Sequence, residues 1–355
     1  MPVSIPKVQT AAVVPKAGAA LEIRTDHPVK QPDELAPGEC LVKLDVSGVC
    51  HTDLHAAKGD WPVPPRVPLI GGHEGVGHIV AIGRNTIDSP VKIGDRVGIK
   101  WLADSCLMCE QCRKGLEQCC SKAKLSGYTV DGTFAQYVVS YTAHVTPIPD
   151  GIDSAEAASI LCAGVTTYRA IKYSNTNAGD WIVLPGAGGG LGHLAVQYAV
   201  NRGLRVVAID TGADKKQLVE QLGAEVWIDF KESKDIVADI KAATDGLGAH
   251  AAVVTTASST GYEQAIDYLR AGGTLVAVGL PGTATLNASI FFTVFKGLQI
   301  VGSYVGNRQD AVEAMDIAAQ GKVKCHFATK PLSALKDVYE GLEAGKIAGR
   351  IVLQM

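Results

Sequence analysis

The sequence has little charge imbalance and no long hydrophobic run. Its 33 lysines and arginines face 36 aspartates and glutamates, which gives a net charge of -3. This balance argues against nucleic acid and membranes as partners, because anionic partners bind through clustered positive charge. No apolar run approaches the ~20 residues that a membrane-spanning helix needs. The first residues, MPVSIPKVQT, resemble neither a signal peptide nor a transit peptide, so we expect a cytoplasmic protein.

The chain is long, and it is rich in glycine and contains several clustered cysteines. At 355 residues it exceeds the size of one typical hydrophobic core, which favours two domains. Its 39 glycines predict many tight turns and close backbone approaches. The nine cysteines include a compact cluster in a long chain, a pattern typical of metal ligation in a reducing compartment rather than of disulfides.

The pattern of strands and helices changes near residue 160. Before it, short β-like runs at residues 39–46 and 75–81 alternate with turns rich in glycine and proline, which predicts a mostly β domain with long loops. After it, apolar strands alternate with helical patterns, which predicts crossover units and a parallel sheet. The predicted strands of this second part are residues 181–184, 205–209, 251–255, 274–278 and 298–301, with a last strand at 350–353.

A glycine-rich turn follows the first strand of the second part. The turn, GAGGGLG, places Gly186, Gly189 and Gly192 in a GxxGxxG pattern, one residue longer than the usual GxGxxG. A helix with apolar residues at helical spacing begins at Leu191. Strand, side-chain-free turn and helix are what a dinucleotide pyrophosphate needs, since backbone N–H groups must approach it closely. The alternative is an ordinary tight turn.

The next predicted strand ends at Asp210. An acidic residue at this tip hydrogen-bonds a ribose hydroxyl and repels a 2′-phosphate, so Asp210 favours NAD over NADP. It could also be a turn aspartate. Lys215, on the following helix, is either a second ribose contact or a solvated surface residue.

Two sets of residues have the chemistry of zinc ligands. Cys106, Cys109 and Cys112 are followed by the adjacent pair Cys119 and Cys120, of which one would complete a closed four-thiolate site. Such a site is structural, because no coordination position remains for a substrate. A second, dispersed set contains Cys50, His73 and Cys162, which would leave a fourth position open. On spacing alone these three residues could equally be buried thiols and a hydrogen-bonded histidine.

The motifs together resemble the zinc-dependent medium-chain alcohol dehydrogenases, and most closely the tetrameric yeast and fungal type. They are GVCHTDLH, GHEGVG, the four-cysteine loop, LSGYTVDGTFAQY, LCAG, GAGGGLG and VGSYVGNR, which occur in that order over nearly the whole chain. The resemblance implies an α/β fold, with a GroES-like, mostly β catalytic domain at 1–162, a Rossmann doubly wound parallel-sheet domain at 163–305, and a return to the catalytic domain at 306–355. It also implies a homotetramer.

The resemblance assigns roles to individual residues. It implies two zinc ions per subunit, with Cys50, His73 and Cys162 holding the catalytic one, Glu74 beside it, and Cys120 completing the structural site. Thr52 and His55 resemble a proton relay, and Asp53 a carboxylate that orients the zinc-bound imidazole. The positions similar to the family's cofactor contacts are His51, Gly186, Gly189, Gly190, Leu191, Gly192, Asp210, Lys215, Phe230, Val278, Leu280, Ser303, Val305 and Arg350.

The implied reaction is the reversible, NAD-linked oxidation of small primary alcohols such as ethanol to aldehydes. It would proceed by loss of the alcohol proton at zinc, a proton relay and hydride transfer to nicotinamide. Trp61 and Trp101 resemble the bulky residues that narrow the fungal pocket, although either could be a core aromatic residue. Leu280 stands where the yeast enzymes usually have methionine, which leaves the preferred chain length open.

Other functions fit the sequence less well. Quinone reductases share the implied fold but lack the metal ligands, and polyol dehydrogenases differ in the ligand set and pocket. A nucleic-acid-binding zinc module should be basic, whereas the cysteine loop balances Arg113 and Lys114 against Glu110 and Glu117. A dehydrogenase that had become a structural protein should have lost part of this set, and none of the residues is missing.

Overall fold

The structure is a computed structural model that describes residues 4–256, 258–280, 284–344, 346–347 and 349–355. The chain forms two compact units. The first consists of Met1–Cys162, Asn307–Gly321 and Cys325–Met355, and the second of Ala163–Gly306 and Lys322–Lys324. No helix among the described residues is both long and apolar enough to cross a membrane.

The first part of the chain contains ten strands and three α-helices among its described residues. The strands are β1 (Val8–Val14), β2 (Glu22–Pro28), β3 (Glu39–Val49), β4 (Leu69–Ile70), β5 (Gly75–Ile82), β6 (Arg96–Ile99), β7 (Leu102–Asp104), β8 (Lys124–Leu125), β9 (Tyr137–Tyr141) and β10 (Thr146–Pro147). The helices are α1 (His51–Lys58), α2 (Glu110–Arg113) and α3 (Ser154–Ser159), with 3-10 turns at Pro32–Glu34 and Glu117–Cys119 and a π-helical turn at Ile160–Gly164.

The middle of the chain alternates between helices and strands. The helices are α4 (Val165–Lys172), α5 (Gly192–Asn201), α6 (Ala213–Gln221), α7 (Ile236–Ala243), α8 (Ser259–Tyr268) and α9 (Ile290–Lys296). The strands are β11 (Trp181–Pro185), β12 (Arg205–Asp210), β13 (Val226–Asp229), β14 (Ala249–Val254), β15 (Leu269–Ala277) and β16 (Gln299–Gly302). The last part of the chain contains α10 (Arg308–Ala319), β17 (Phe327–Pro331), a 3-10 turn at Leu332–Ala334, α11 (Leu335–Glu343) and β18 (Arg350–Gln354).

Most strand pairs of the first unit are antiparallel, and β17 pairs in parallel with β18. Its main sheet has the order β10-β6-β5-β3-β18-β17, and β9 also pairs with β3. The chain's last strand, β18, is antiparallel to β3, with Ile351 opposite Val49. The end of the chain therefore lies beside the strand that leads directly to Cys50. A smaller sheet has the order β2-β1-β4, and β7 pairs with β8.

The second unit is a six-stranded parallel sheet with the order β13-β12-β11-β14-β15-β16. In chain order this is 3-2-1-4-5-6, the doubly wound dinucleotide-binding arrangement, so the predicted α/β fold class is confirmed. All five residues of β11 are buried, as expected of a central parallel strand that is covered on both faces.

Two strands of this sheet differ from the sequence prediction. β13 was not predicted, since its four residues, VWID, are too few for a periodic pattern to show. β15 begins at Leu269 rather than at residue 274, because it continues through Gly272 and Gly273, a pair that normally indicates a turn. The irregular register between β14 and β15, which shifts between Ala249 and Ala251, accommodates this start.

Candidate functional site

The dispersed metal set converges in the first unit. One ligand atom from each of Cys50, His73, Glu74 and Cys162 lies within 4.8 Å of the other three. Cys50 is the N-cap of α1, directly after β3, whereas His73 and Glu74 lie just before β5. Cys162 lies in the π-helical turn Ile160–Gly164. Such turns often occur at functional sites, and nothing in the local sequence predicts this one.

Asp53 orients the imidazole of His73. Its Oδ1 accepts hydrogen bonds from His73 Nδ1 at 2.8 Å and from the Gly72 N–H at 3.2 Å, and its Oδ2 accepts from the Cys50 N–H at 2.8 Å. The proton on Nδ1 leaves Nε2 as the free nitrogen. His73 is fully buried, and in the part of the chain that the structure describes its Nε2 has no hydrogen-bond partner. A buried nitrogen without a partner is costly, and a metal ion beside the two thiols would satisfy it.

The two thiols of this set face each other. The hydrogen bond from Cys162, together with His73, holds the pKa of Cys50 well below its usual value although burial opposes the thiolate. The same contact, with burial, raises the pKa of Cys162 well above its usual value. Of the two buried thiols, Cys50 thus favours the thiolate and Cys162 the protonated form, and a bound cation would favour the thiolate of both. The donor set therefore fits zinc, which binds thiolate sulfur and imidazole nitrogen in this way.

Arg350 and Glu74 form a buried ion pair next to the thiols. The Arg350 guanidinium on β18 donates to Glu74 Oε1, and both side chains are almost fully buried. Burial raises the pKa of Glu74 to about 7, although Arg350 favours its charged form. The second carboxylate oxygen, Oε2, has no hydrogen-bond partner among the residues that the structure describes. Arg350, a residue that the sequence resemblance associates with the cofactor, therefore contacts the carboxylate of the metal set in this structure.

The four-cysteine loop forms a second compact set. The Sγ–Sγ distances along four edges are 4.0 Å (Cys106–Cys112), 3.5 Å (Cys109–Cys112), 3.8 Å (Cys109–Cys120) and 3.6 Å (Cys106–Cys120). A tetrahedral zinc with Zn–S bonds of ~2.3 Å has edges of about 3.8 Å, so the spacing fits a zinc ion. Of the two adjacent candidates, Cys120 belongs to the set and Cys119 is exposed outside it.

Contacts from the start of α10 hold the four-cysteine loop. Glu117, inside the loop, accepts hydrogen bonds from Arg308 Nε at 3.0 Å and from the Arg308 N–H at 3.1 Å. Asn307 donates from Nδ2 to the Gly115 carbonyl at 2.8 Å. These partners are almost two hundred residues apart in sequence, which is why the sequence alone gives no sign of them.

The predicted relay residues lie on α1, one turn apart. Thr52 and His55 are partly buried, and His51 at the helix start is exposed. His55 Nδ1 lies 2.9 Å from Asp60 Oδ1, and the Trp61 ring stacks on the imidazole with 5.4 Å between centroids. Spacing of i and i+3 puts Thr52 and His55 on the same face of the helix, as a relay between them requires.

Three aromatic side chains surround the relay and the metal set. Trp61 lies 6.2 Å from Trp101 and 5.7 Å from Tyr128, measured between ring centroids. Trp101 packs edge-on against the His73 imidazole, with 5.2 Å between centroids. The sequence interpretation singled out both tryptophans but missed Tyr128, whose only signal is its place inside the LSGYTVDG motif.

The glycine-rich turn of the second unit has the geometry of a phosphate cradle. Gly186 has φ +82°, which favours glycine. A Cβ at Gly192 would lie 2.0 Å from the Gly186 carbonyl oxygen, so the close approach of turn and helix requires glycine there too. Among the described residues α5 has no side-chain cap at Leu191, and the N–H groups of His193 and Leu194 donate to the Gly189 and Leu191 carbonyl oxygens, so an anion would have to be met by the N–H groups of the turn before them. Gly189 and Gly190 complete the turn.

Asp210 lies buried at the end of β12, beside this turn. Its carboxylate accepts hydrogen bonds from the Gly188 N–H at 3.0 Å, from the Thr211 N–H at 2.9 Å and from Lys215 Nζ at 2.8 Å. A carboxylate has about four acceptor positions, so one remains for a ribose hydroxyl. Asp210 therefore also holds the backbone of the glycine-rich turn, through the Gly188 N–H.

The other predicted cofactor positions follow the carboxyl ends of parallel strands, where doubly wound sheets bind ligands. Phe230 follows β13, Val278 and Leu280 follow β15, and Ser303 and Val305 follow β16. Val305 has φ +41°, an unusual conformation for a β-branched residue that often marks a functional position.

Comparisons with known proteins match both parts of the chain to described families. Residues 36–150 match the family described as alcohol dehydrogenase GroES-like domain, and residues 190–320 match the family described as zinc-binding dehydrogenase. The chain is 50% identical to alcohol dehydrogenase 1 of Emericella nidulans over 353 residues, 99% of each chain, and 49% identical to alcohol dehydrogenase of Schizosaccharomyces pombe over the same length and shares.

The fold of the chain is similar to the folds of solved dehydrogenase and reductase structures. An alcohol dehydrogenase from Aeropyrum pernix matches with a TM-score of 0.86 at 30% identity, over 98% of this chain and 100% of that one. An acetophenone reductase from Geotrichum candidum, solved in complex with NAD, matches with a TM-score of 0.85 at 27% identity, over 99% of each chain.

Proposed function

The chain belongs to the fungal type of the zinc-dependent medium-chain alcohol dehydrogenases, and we propose that it oxidises primary alcohols of about the size of ethanol to aldehydes. It is an alcohol dehydrogenase that uses NAD and zinc. The observation that carries the proposal is the buried Nε2 of His73, which has no hydrogen-bond partner among the described residues and lies close to the thiols of Cys50 and Cys162, with the Trp101 ring against the imidazole.

In this proposal Cys50, His73 and Cys162 hold the catalytic zinc, and Glu74 lies next to it. When bound there, zinc supplies a Lewis acid that favours loss of the alcohol proton. Asp53 keeps the imidazole in the tautomer whose Nε2 is free. The cysteine loop, Cys106 to Cys120, would hold the structural zinc, because its four thiols leave no position for a substrate.

We assign the movement of the proton to α1. The Thr52 hydroxyl can accept a proton and donate another, and His55 one turn later can exchange protons with solvent because its side chain is 38% exposed. The pair would carry the alcohol proton from the buried site to water.

The size of the alcohol follows from the rings of Trp61, Trp101 and Tyr128. They pack against one another with centroids 5.4 to 6.2 Å apart, and Trp101 also packs edge-on against the His73 imidazole. A narrow apolar wall rejects long alcohols by overlap, and each methylene in such a pocket changes the reaction barrier by about 1–3 kcal/mol. The arrangement supports an ethanol-sized substrate.

NAD is the hydride acceptor, and we propose that the second unit is its binding domain and the first unit the catalytic domain. Gly186 to Gly192 would approach the pyrophosphate, and Asp210 with Lys215 would contact the adenosine ribose. A 2′-phosphate would meet the buried Asp210 carboxylate, which supports NAD rather than NADP. His51, Phe230, Val278, Leu280, Ser303, Val305 and Arg350 are the remaining proposed contacts.

We propose that the enzyme is a homo-oligomer, and a homotetramer by its resemblance to the fungal type. The second unit exposes an apolar surface on α9, where Ile290 is 82%, Phe291 68% and Phe295 77% exposed. Next to it in sequence, β16 is an edge strand that pairs with β15 alone among the described residues. A second copy related by a two-fold axis can pair edge to edge and cover both features.

The oligomer is tested by molar mass in solution. Replacing Phe291 and Phe295 together by aspartate should give a smaller species, whereas Ile87→Asp, at an 83% exposed position outside this surface, should not. A double variant with the mass of the wild-type oligomer would contradict the use of this surface.

We place the enzyme in the cytoplasm. Both proposed zinc sites depend on free thiols, and a reducing compartment keeps cysteines in that state. Fractionation of intact cells would test this, since the activity should follow cytosolic markers.

The substrate proposal is tested by kcat/KM for ethanol, butanol and hexanol. In the wild type this ratio should fall as the chain lengthens. Trp61→Ala should raise the ratio of hexanol to ethanol at least about tenfold, because it removes a ring from the wall. Tyr173→Ala, at an exposed ring outside the wall, is the control. A wild type that prefers hexanol would contradict the proposal.

A further inference from the structure

Asp60 is not a member of the proposed relay, yet its carboxylate faces the relay histidine, His55. The α1 helix ends at Gly59, whose left-handed conformation (φ 65°, ψ 35°) turns the chain back on itself. The turn brings the next residue, Asp60, against His55: its two carboxylate oxygens lie 2.9 and 3.1 Å from Nδ1.

The carboxylate decides which nitrogen of His55 carries the proton. A carboxylate only accepts hydrogen bonds, so Nδ1 must be the donor. In the neutral ring Nε2 is then bare and able to accept a proton. The Trp61 ring fixes the plane of the imidazole, stacking on it at an interplanar angle of 21°. Asp60 and Trp61, two consecutive residues, thus fix both the tautomer and the ring plane of His55.

A second aspartate, on α1 itself, fixes the tautomer of a histidine in the same way. Asp53 accepts a hydrogen bond from His73 Nδ1 at 2.8 Å and leaves His73 Nε2 for the metal. The two pairs differ in burial: Asp53 and His73 are 1% exposed, whereas the side chains of Asp60 and His55 are 44% and 38% exposed. An exposed pair of this kind contributes little to stability, typically about 0–1 kcal/mol, so its contribution must come from orientation.

We propose that Asp60 is a positioning residue of the proton relay, which holds His55 with its proton on Nδ1 and makes Nε2 the nitrogen that exchanges the relayed proton. The inference rests on the proposed function of the relay. In the step, Nε2 takes up the proton and the ring becomes an imidazolium, and Nε2 then releases it to water. The Nδ1–H bond to Asp60 stays intact throughout, and Asp60 stays ionised.

The informative variant is Asp60→Asn, which keeps the shape but replaces one acceptor oxygen by an amide that donates. Such an amide can donate to Nδ1, which moves the ring proton to Nε2 and blocks the relay. Asp60→Glu keeps the carboxylate. Asp45→Asn is the matched control, because Asp45 faces His78 Nδ1 at 3.3 Å in a similar surface pair, 43% and 48% exposed.

The first readout does not depend on activity. The side-chain 15N signals of the zinc-loaded protein without NAD, labelled at histidine, distinguish the two tautomers at about pH 9, where an unperturbed imidazole is neutral. The signal of His55 is assigned from its absence in His55→Gln. We expect a protonated Nδ1 in the wild type, in Asp60→Glu and in Asp45→Asn, and a protonated Nε2 in Asp60→Asn. A wild-type ring protonated on Nε2 would overturn the proposal.

The second readout is steady-state oxidation of ethanol. Asp60→Asn should lower kcat at least about tenfold with KM for ethanol nearly unchanged, because the loss is in proton transfer rather than in binding. Asp60→Glu should recover most of the rate. If Asp60→Asn has the same kcat as Asp45→Asn while the wild type oxidises ethanol, the role of Asp60 is refuted and the proposed function is not. If the wild type does not oxidise alcohols, the proposed function fails, and the tautomer measurement still decides for or against the role of Asp60.

Discussion

Replacing Asp53 by asparagine should weaken the catalytic zinc site while leaving the fold and the structural zinc site intact. The carboxylate accepts three hydrogen bonds, from Cys50 N–H, Gly72 N–H and His73 Nδ1. An asparagine amide can supply only one accepting oxygen. If its nitrogen faces Cys50, a buried N–H loses its acceptor; if it faces His73, the ring proton moves to Nε2 and blocks the metal.

Mutation of a residue that hydrogen-bonds a metal ligand typically reduces metal affinity about 10–100-fold, or roughly 1.4–2.7 kcal/mol, and we expect a loss of this size for Asp53→Asn. The assay is zinc content per chain after dialysis against increasing concentrations of a weak chelator. Asp53→Asn should lose one zinc at 10–100-fold lower chelator activity than the wild type and keep the second. Asp26→Asn, at an exposed position on β2, is the control. Equal resistance of both zincs in Asp53→Asn and the wild type would refute the reasoning.

Three further predictions concern the rest of the molecule. Cys109→Ser should lose the structural zinc and lower the melting temperature, whereas Cys119→Ser should keep full zinc content because Cys119 lies outside the cluster; equal zinc loss in both would contradict the assignment. Gly192→Ala should abolish detectable NAD binding in calorimetry, since its Cβ would lie 2.0 Å from a carbonyl oxygen, whereas Gly302→Ala, with no atom within 4 Å of the added Cβ, should bind NAD normally. Burial, with nearby cations, lowers the pKa of His144 to about 3, so the unfolded chain binds the proton more readily, and stability should fall as pH drops below about 6.5. His144→Gln should flatten that dependence in urea unfolding between about pH 5 and 6.5, and an unchanged slope would contradict this cause.

The sequence was informative where the chemistry of a function limits the residue types. The cysteine loop, the glycine-rich turn and Asp210 could be interpreted because thiolate ligation, a close phosphate approach and ribose recognition each accept few alternatives. The alternation of apolar strands with helical patterns predicted the parallel sheet, because strands that are buried on both faces need continuous apolar runs.

Other features depend on contacts that no local pattern encodes. The π-helical turn that carries Cys162 depends on packing around it. The Arg350–Glu74 pair joins residues 276 positions apart, which the pairing of β3 with both β18 and β5 brings together. Tyr128 and Asp60 are ordinary loop residues in sequence, and only the folded turns place them against Trp61 and His55.

The most direct test of the central claim is the initial rate of NADH formation from ethanol, measured before and after a chelator removes the catalytic zinc. We predict rapid NAD-dependent formation of NADH that the chelator abolishes and added zinc restores. Protein shown to contain zinc in both sites but unable to form NADH from ethanol would contradict it, as would a rate that survives the loss of that zinc.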